Sequence, residues 1–332
     1  MTTPRPLPTM RDVAAHAGVS PMTVSRTLRG DPKVSPELRE RVLASVAALS
    51  YRTNDAARSL KAGRANGLIG LAVTNLANPF YSELALGVES EAAEHGYRVL
   101  LGNTGEDVGR EKLLVEDFAS RRVQGIVVAP ATTNHDHLDP ARLNGMPVVL
   151  ATSPPLGPGI DSVTLDDFGA TREAVLSLIE EGHRRIGFLG LPEPLWTGRE
   201  RLRGYRAALV ESGIPDDPAL YSGAMGSVTT LEELATLADG PTAVFASNNR
   251  HTLAACRFVH EHGKSLRIFG FDDVPSADLF PMPLSVITYS PAELGRVAAR
   301  LLIDRITDAA PQPPRRLTVQ THLKSYGMAS GT

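Results

Sequence analysis

An all-α helix-turn-helix headpiece followed by a two-lobed α/β body is the fold class that this 332-residue chain predicts. Three observations predict it. Residues 10 to 29 read as two short helices joined by a tight turn. From Gly67 onward, short apolar runs alternate with amphipathic segments, and the alternation restarts once near residue 163. Charge is divided in the same way: residues 1 to 64 hold eleven Lys and Arg against five Asp and Glu, a net of +6, which leaves −9 for the rest of a chain whose total is −3. A cationic head on an anionic body suits a protein whose head alone must neutralise phosphates.

In the first helix, Val13, Ala14 and Ala17 recur at helical spacing and form a narrow stripe that a second helix can approach closely. Gly18 supplies the turn. Ser20 is placed to cap the next helix, and Pro21 stands at its first position, where a missing N–H is harmless. Val24 and Leu28 then face inward, while Thr23, Ser25, Arg26 and Arg29 face outward, the arrangement of a helix-turn-helix whose second helix enters a major groove. Ser35, Pro36 and Glu37 start a third helix, with Val42, Val46 and Leu49 as its stripe down to Tyr51. Residues 53 to 61 make an Asn-capped stretch of barely two turns, too short to hold alone in water, so it is expected to be ordered only by a partner.

In the body, strands are expected at Leu68 to Val73, Val99 to Gly102, Gly125 to Ala129 and Val148 to Leu150, with helices near Tyr81 to His95, Gly109 to Arg121 and His135 to Leu143. A second series has strands at Val163-Thr164, Ile186 to Gly190, Val244 to Ala246 and Ile268 to Gly270. Its helices lie near Phe168 to Glu181, Gly198 to Ser212, Leu231 to Ala238 and Leu253 to His262. Two successive βα series predict two doubly wound parallel-sheet subdomains, with a ligand site in the cleft between them, beyond the carboxyl ends of the strands.

Several classes are excluded or weakened. No run of about 18 apolar residues occurs, so no membrane span is expected, and Met-Thr-Thr-Pro-Arg-Pro-Leu-Pro has no apolar segment of the secretory kind. A cytoplasmic location is expected. Cys256, the single cysteine, lies in an apolar helical stretch and reads as a core residue. Neither Gly-x-Gly-x-x-Gly after a strand nor Gly-x-x-x-x-Gly-Lys-Ser/Thr exists, and no Gly-x-Ser-x-Gly elbow suggests a nucleophile. His135-Asp136-His137 and His260-Glu261-His262 place their histidines two apart, off a common helix face, and read as polar loop or helix-end residues. No metal, cofactor or catalytic residue is expected.

Asp12-Val13-Ala14 through Gly18-Val19-Ser20, Thr23-Val24-Ser25-Arg26, Val34-Ser35, Tyr51, Ala57-Arg58-Ser59-Leu60, Asn78-Pro79-Phe80-Tyr81, Gly182-His183-Arg184-Arg185-Ile186-Gly187 and Gly270-Phe271-Asp272-Asp273 carry a resemblance over almost the full length. On these segments the chain resembles the lactose-repressor (LacI/GalR) family of bacterial transcription factors. The resemblance implies a body shaped like a periplasmic binding protein. The chain is then divided into a headpiece, 1–53; a hinge helix and linker, 54–66; an N-terminal subdomain, 67–164 plus 290–318; and a C-terminal subdomain, 165–289 plus 319–332.

By the same resemblance, Pro21, Met22 and Arg26 make base contacts. Arg26 suits guanine through two parallel hydrogen bonds, and Pro21 and Met22 offer apolar contacts only. Thr9, Ser20, Thr23, Ser25, Arg29, Asn54 and Arg58 complete the DNA-binding set, Thr9, Thr23, Ser25 and Asn54 as phosphate anchors. Leu60 would wedge into the minor groove beside its dimer mate, or else pack on that mate. Phe80 and Tyr81 match the floor of the family's effector site, or a helix-start pair packing on its own subdomain. Arg201 and Asp272 match its ligand-gripping pair, or a mutual salt bridge across the cleft. Trp196 could stack on a sugar or be a half-buried loop residue, and Thr197 and Asn249 complete the effector set.

Departures are also visible. Ala151 follows Val148-Val149-Leu150 where an Asp is frequent, Asn249 replaces another frequent Asp, and Leu195 stands where some members have a polar or basic contact. These changes imply a less acidic, more apolar pocket. The implied function is a repressor acting as a homodimer on a near-palindromic operator, controlled by a small effector, a sugar or sugar derivative. No leucine heptads follow Leu323-Lys324-Ser325-Tyr326, so a dimer without a coiled-coil tail is expected. The competing readings are a two-lobed solute-binding protein, which the cationic head disfavours, and a sugar-acting enzyme, which has no motif of its own.

Overall fold

The structure, a computed structural model, describes residues 8–51, 67–155, 159–190, 195–222, 231, 240–308 and 313–327. The predicted hinge helix and the helix at Leu231 to Ala238 lie outside the described residues, Leu231 excepted. The chain forms two compact units, residues 1–66 and 67–332.

The first unit contains α1 (Met10–Ala17), α2 (Pro21–Leu28) and α3 (Pro36–Ala48). Thr9 and Asp12 close a reciprocal capping box at the start of α1. Gly18 ends that helix with φ 63°, a left-handed conformation that a side chain would resist. Ser20 and Ser35 cap α2 and α3, each followed by proline. Val13, Ala14, Ala17, Val24 and Val42 form a buried cluster, with Leu28, Val46, Leu49 and Tyr51 packed around it.

The second unit contains two six-stranded sheets. The first has β1 (Leu68–Val73), β2 (Arg98–Asn103), β3 (Ile126–Val128), β4 (Val148–Ala151), β5 (Asp161–Leu165) and β11 (Arg316–Val319), in the order β11-β5-β4-β3-β1-β2, all parallel. The second has β6 (Ile186–Leu189), β7 (Tyr221–Ser222), β8 (Ala243–Ala246), β9 (Arg267–Phe271), β10 (Leu284–Thr288) and β12 (His322–Tyr326), in the order β12-β10-β9-β8-β6-β7. Only β12 runs antiparallel there. β1, β3, β4, β6 and β8 are buried almost throughout, as parallel strands covered by helices on both faces require.

The helices of this unit are α4 (Pro79–Glu94), α5 (Val108–Ser120), α6 (Asp167–Glu180), α7 (Trp196–Glu211), α8 (Asn249–His262) and α9 (Pro291–Thr307). The chain passes between sheets three times: from β5 to α6, from β10 to α9 and from β11 to β12. α9 returns to pack along α4 and against β3, β4 and β5, while α6 packs along α7. Asp161 anchors the return. Buried at the start of β5, it accepts hydrogen bonds from Arg305 of α9 and from Arg315 beside β11 at 2.7 to 3.3 Å.

Two expectations need correction. Residues 135 to 143 form a short 3₁₀ turn at Asp136–Leu138 followed by turns, because Pro140 has no N–H with which to continue a helix. α8 begins at Asn249, four residues before the expected start. His135 precedes that turn and His137 lies within it; His137 Nε2 is 2.7 Å from Oε1 of fully buried Glu111, and His135 is buried. No group of three or more His, Cys, Asp or Glu suited to a metal occurs among the described residues. Cys256 is buried on α8, and burial pushes its thiol up to about 11. No helix among the described residues is long and apolar enough to cross a membrane.

Candidate functional site

On the headpiece, α2 buries Val24 and Thr27 and leaves Pro21, Met22 and Arg29 exposed, Met22 by 65%. Arg26 is 40% exposed and its Nε donates to Asp31 Oδ2 at 2.9 Å. Arg29 Nε donates to the Ser25 carbonyl at 3.2 Å. Two of the predicted contact residues also hold the fold. Thr9 donates its hydroxyl hydrogen to Asp12 at 2.7 Å, and Ser20 accepts the Thr23 amide at 3.1 Å. Asn54, Arg58 and Leu60 lie outside the described residues.

In the body, side chains beyond the carboxyl ends of the strands of both sheets line one cavity. Thr74 follows β1, Asn78, Phe80 and Tyr81 start α4, Thr152 follows β4, and Leu165 ends β5. From the second sheet come Asp167, Leu195, Thr197, Arg201, Asn248, Arg250 and Asp272, with Glu106 and Tyr289 completing the wall. Thr152 has φ 71° and Asp272 φ 70°. Left-handed backbone is costly for a β-branched threonine, and such strain concentrates at binding sites.

Arg201 is almost fully buried and heavily committed. Its Nε donates to Asp167 Oδ1 at 2.8 Å, Nη2 lies 2.8 Å from the same oxygen, and Nη1 donates to the Ser247 carbonyl. Its guanidinium carbon sits 3.5 Å from the centre of the Phe271 ring. Asp167 is 2% exposed, and burial outweighs the Arg201 charge to push its carboxyl up to about 6. Asp272 accepts the Tyr289 hydroxyl at 2.6 Å and the Asn249 amide at 3.3 Å. Burial, followed by the Asp272 charge, holds the Tyr289 hydroxyl well above its ordinary value, so it keeps its proton and donates.

Arg201 and Asp272 therefore do not pair across the cleft. Both belong to elements of the second sheet's layer, and the partner of Arg201 is Asp167. Phe80, Tyr81, Thr197, Arg201 and Asp272 are brought to the one cavity. Asn249 lies beside it, lining an adjoining cavity and donating Nδ2 to Asn78 Oδ1 at 2.8 Å. Trp196 is the first residue of α7, half-buried, with Arg199 5.5 Å from its ring, and it does not line the cavity. Nor is the wall as poor in acid as Ala151 and Asn249 implied. Asp167, Asp272 and Glu106 supply three carboxylates, the first from a helix start. That aspartate was hidden in the sequence because an acid beginning a helix reads as a dipole partner.

Comparison with known proteins decides the family. Residues 66–326 match the family model described as periplasmic binding proteins and sugar binding domain of LacI family, and residues 9–54 match bacterial regulatory proteins, lacI family. The chain belongs to the LacI family. Among similar LacI-family proteins, catabolite control protein A of Priestia megaterium is 33% identical, over 89% of this chain and 91% of that protein. The transcriptional regulator CelR of Thermobifida fusca is 34% identical, over 95% of this chain and 96% of its own. A CelR–cellobiose complex superposes with a TM-score of 0.69 at 32% identity, over 96% of this chain and 98% of that one. The lac repressor dimer bound to operator and the anti-inducer ONPF gives 0.78 at 26% identity, over 97% and 99%. This LacI-family chain is a DNA-binding transcriptional regulator whose body is of the effector-binding kind.

Proposed function

We propose that the protein is a cytoplasmic, non-enzymatic repressor that binds a near-palindromic operator as a homodimer and is released or recruited by a sugar or sugar derivative held in the cleft. The observation that carries this reading is the joining, in one chain, of a helix-turn-helix to a body with a polar cavity at the carboxyl ends of the parallel strands of two sheets. On DNA, Arg26 reads a guanine, while Pro21 and Met22 make apolar contacts. Thr9, Ser20, Thr23, Ser25, Arg29, Asn54 and Arg58 set register on the backbone, and Leu60 enters the minor groove. In the cleft, Phe80, Tyr81, Thr197, Arg201, Asn249 and Asp272 hold the effector. Cellobiose in the CelR complex supports a sugar, and the operator-bound lac repressor dimer supports the assembly.

The test is operator selection from random duplexes followed by mobility shift with and without sugars. A palindromic consensus whose affinity changes with at least one sugar is expected. No sequence preference would sink the regulator reading, whereas a preference that no sugar alters would sink only effector control.

A further inference from the structure

We infer that Asp167 is the residue with which the cleft reads its ligand, through a hydrogen bond donated by a ligand hydroxyl or N–H to Asp167 Oδ2, and that the cleft accordingly takes a neutral, donor-rich molecule and rejects its phosphorylated or carboxylated counterpart. The inference rests on the proposed effector site and concerns what that site selects.

Three observations carry it. Asp167 lines the cavity at 2% exposure, Arg201 occupies its Oδ1, and its Oδ2 is buried without a hydrogen-bond partner. A buried acceptor of this kind is costly unless something donates to it. Arg201, the obvious group for an anion, is spent on protein. Asp167 and the Ser247 carbonyl take its hydrogens, and Phe271 packs against its guanidinium. Finally, Asn249 Oδ1 beside the cavity is a second buried acceptor with no partner, and Asp272 adds a carboxylate to the wall. The buried polar atoms at the cleft that lack a partner are acceptors, and Arg250, the other cation on its wall, is exposed to solvent. A hydroxyl or N–H completes them, whereas a phosphate or carboxylate would be driven against Asp167 and Asp272 with Arg201 already engaged and only the solvent-screened Arg250 to offset them.

The test uses the full-length protein at pH 7.5 and matched neutral and anionic probes: cellobiose with cellobionate, D-ribose with D-ribose 5-phosphate, and adenosine with adenosine 5′-monophosphate. Binding is measured by calorimetry. At least one neutral probe is expected to bind, with its anionic partner at least about tenfold weaker, as expected when a hydrogen bond to a charged group is replaced by repulsion. Asp167→Ala is expected to weaken the neutral probe about ten- to a hundredfold, and Asp167→Asn, which turns an acceptor towards a donor, to weaken it as well. Operator affinity without probe reports that each variant is folded, and a variant that loses it is replaced by Asp167→Ser. Unchanged affinity of the neutral probe in folded variants, or tighter binding of an anionic probe, would overturn the role of Asp167 while leaving the effector site standing. Failure of all six probes would overturn the sugar-effector reading and this inference with it.

Discussion

At the scale of single residues, the headpiece and the cleft each hold an arginine against an aspartate, with opposite consequences. On the headpiece, Asp31 takes only the Nε of a partly exposed Arg26, and its other oxygen accepts the Lys33 amide at 2.9 Å. The Lys33 amide first, then Arg26, hold the Asp31 carboxyl below the usual range. Asp31 thus engages Arg26 through Nε and leaves its two terminal nitrogens for the guanine contact proposed above. Asp31→Ala is expected to reduce discrimination at the guanine by about 1 kcal/mol, roughly fivefold, since a good bidentate contact is worth about 1–3 kcal/mol. Mobility shift with a guanine-substituted operator checks this, and an unchanged ratio of affinities would remove Asp31 from the role. In the cleft, the Asp167 carboxyl lies at about 6, above its ordinary 3.8. The folded state therefore holds this proton more tightly than the unfolded chain, and the residue's contribution to stability falls as pH rises from about 4 through 6. The groups facing it are Arg201, Asp272, Glu200 and Tyr289, all unchanged in Asp167→Asn. The stability of the native protein relative to that variant is expected to fall by up to about 3 kcal/mol between pH 4 and pH 7, at about 1.4 kcal/mol per unit. A gap that does not vary across that range would refute the assignment.

At the scale of elements, both lobes solve the same packing problem with glycine. A Cβ on Gly87 of α4 would lie 1.9 Å from the Ala292 carbonyl oxygen of α9, and one on Gly295 of α9 would lie 2.2 Å from that of Leu84. In the other lobe, a Cβ on Gly204 of α7 would lie 2.4 Å from the Phe168 carbonyl oxygen of α6. Alanine in a helix gains about 1 kcal/mol over glycine, but these neighbours are backbone atoms that cannot rotate away. Gly87→Ala and Gly204→Ala are each expected to destabilise the protein by about 1–3 kcal/mol, lowering its melting temperature by several degrees. A rise in melting temperature would show that the helices separate freely. The same elements mark what could be read beforehand. β1, β4, β6 and β9 were legible because strands buried on both faces are unbroken apolar runs. β11 and β12 were not, since both are largely exposed and carry no apolar run, and they pair only because the chain crosses between lobes beside them. In the site, Phe80, Arg201 and Asp272 could be placed by resemblance. The Asp167–Arg201 pair could not, because it joins the first residue of α6 to the second turn of α7, which only the fold brings together.

At the scale of the whole body, the two lobes meet across the cleft through a pair of amides whose direction is fixed. Asn78 Oδ1 accepts the Phe80 amide at 3.1 Å as the cap of α4, so its oxygen cannot be exchanged for its nitrogen without losing that cap. The same oxygen accepts Asn249 Nδ2 at 2.8 Å, from the first residue of α8 in the other lobe. Only a donor fits at 249. An aspartate there would set a carboxylate oxygen against Asn78 Oδ1 and a second negative charge beside Asp272, whose Oδ2 already accepts the residue 249 amide. The bond from Asn249 Nδ2 to Asn78 Oδ1 thus ties the two lobes together, a neutral hydrogen bond worth about 1 kcal/mol. Asn249→Asp removes the bond and adds repulsion, whereas Asn249→Ala removes the bond alone. Hydrogen exchange is expected to quicken in both walls of the cleft, at residues 74–82 and at residues 247–252, more in Asn249→Asp than in Asn249→Ala. Faster exchange confined to residues 247–252 would mean that the substitution loosens its own helix start and that the amide pair does not hold the lobes together.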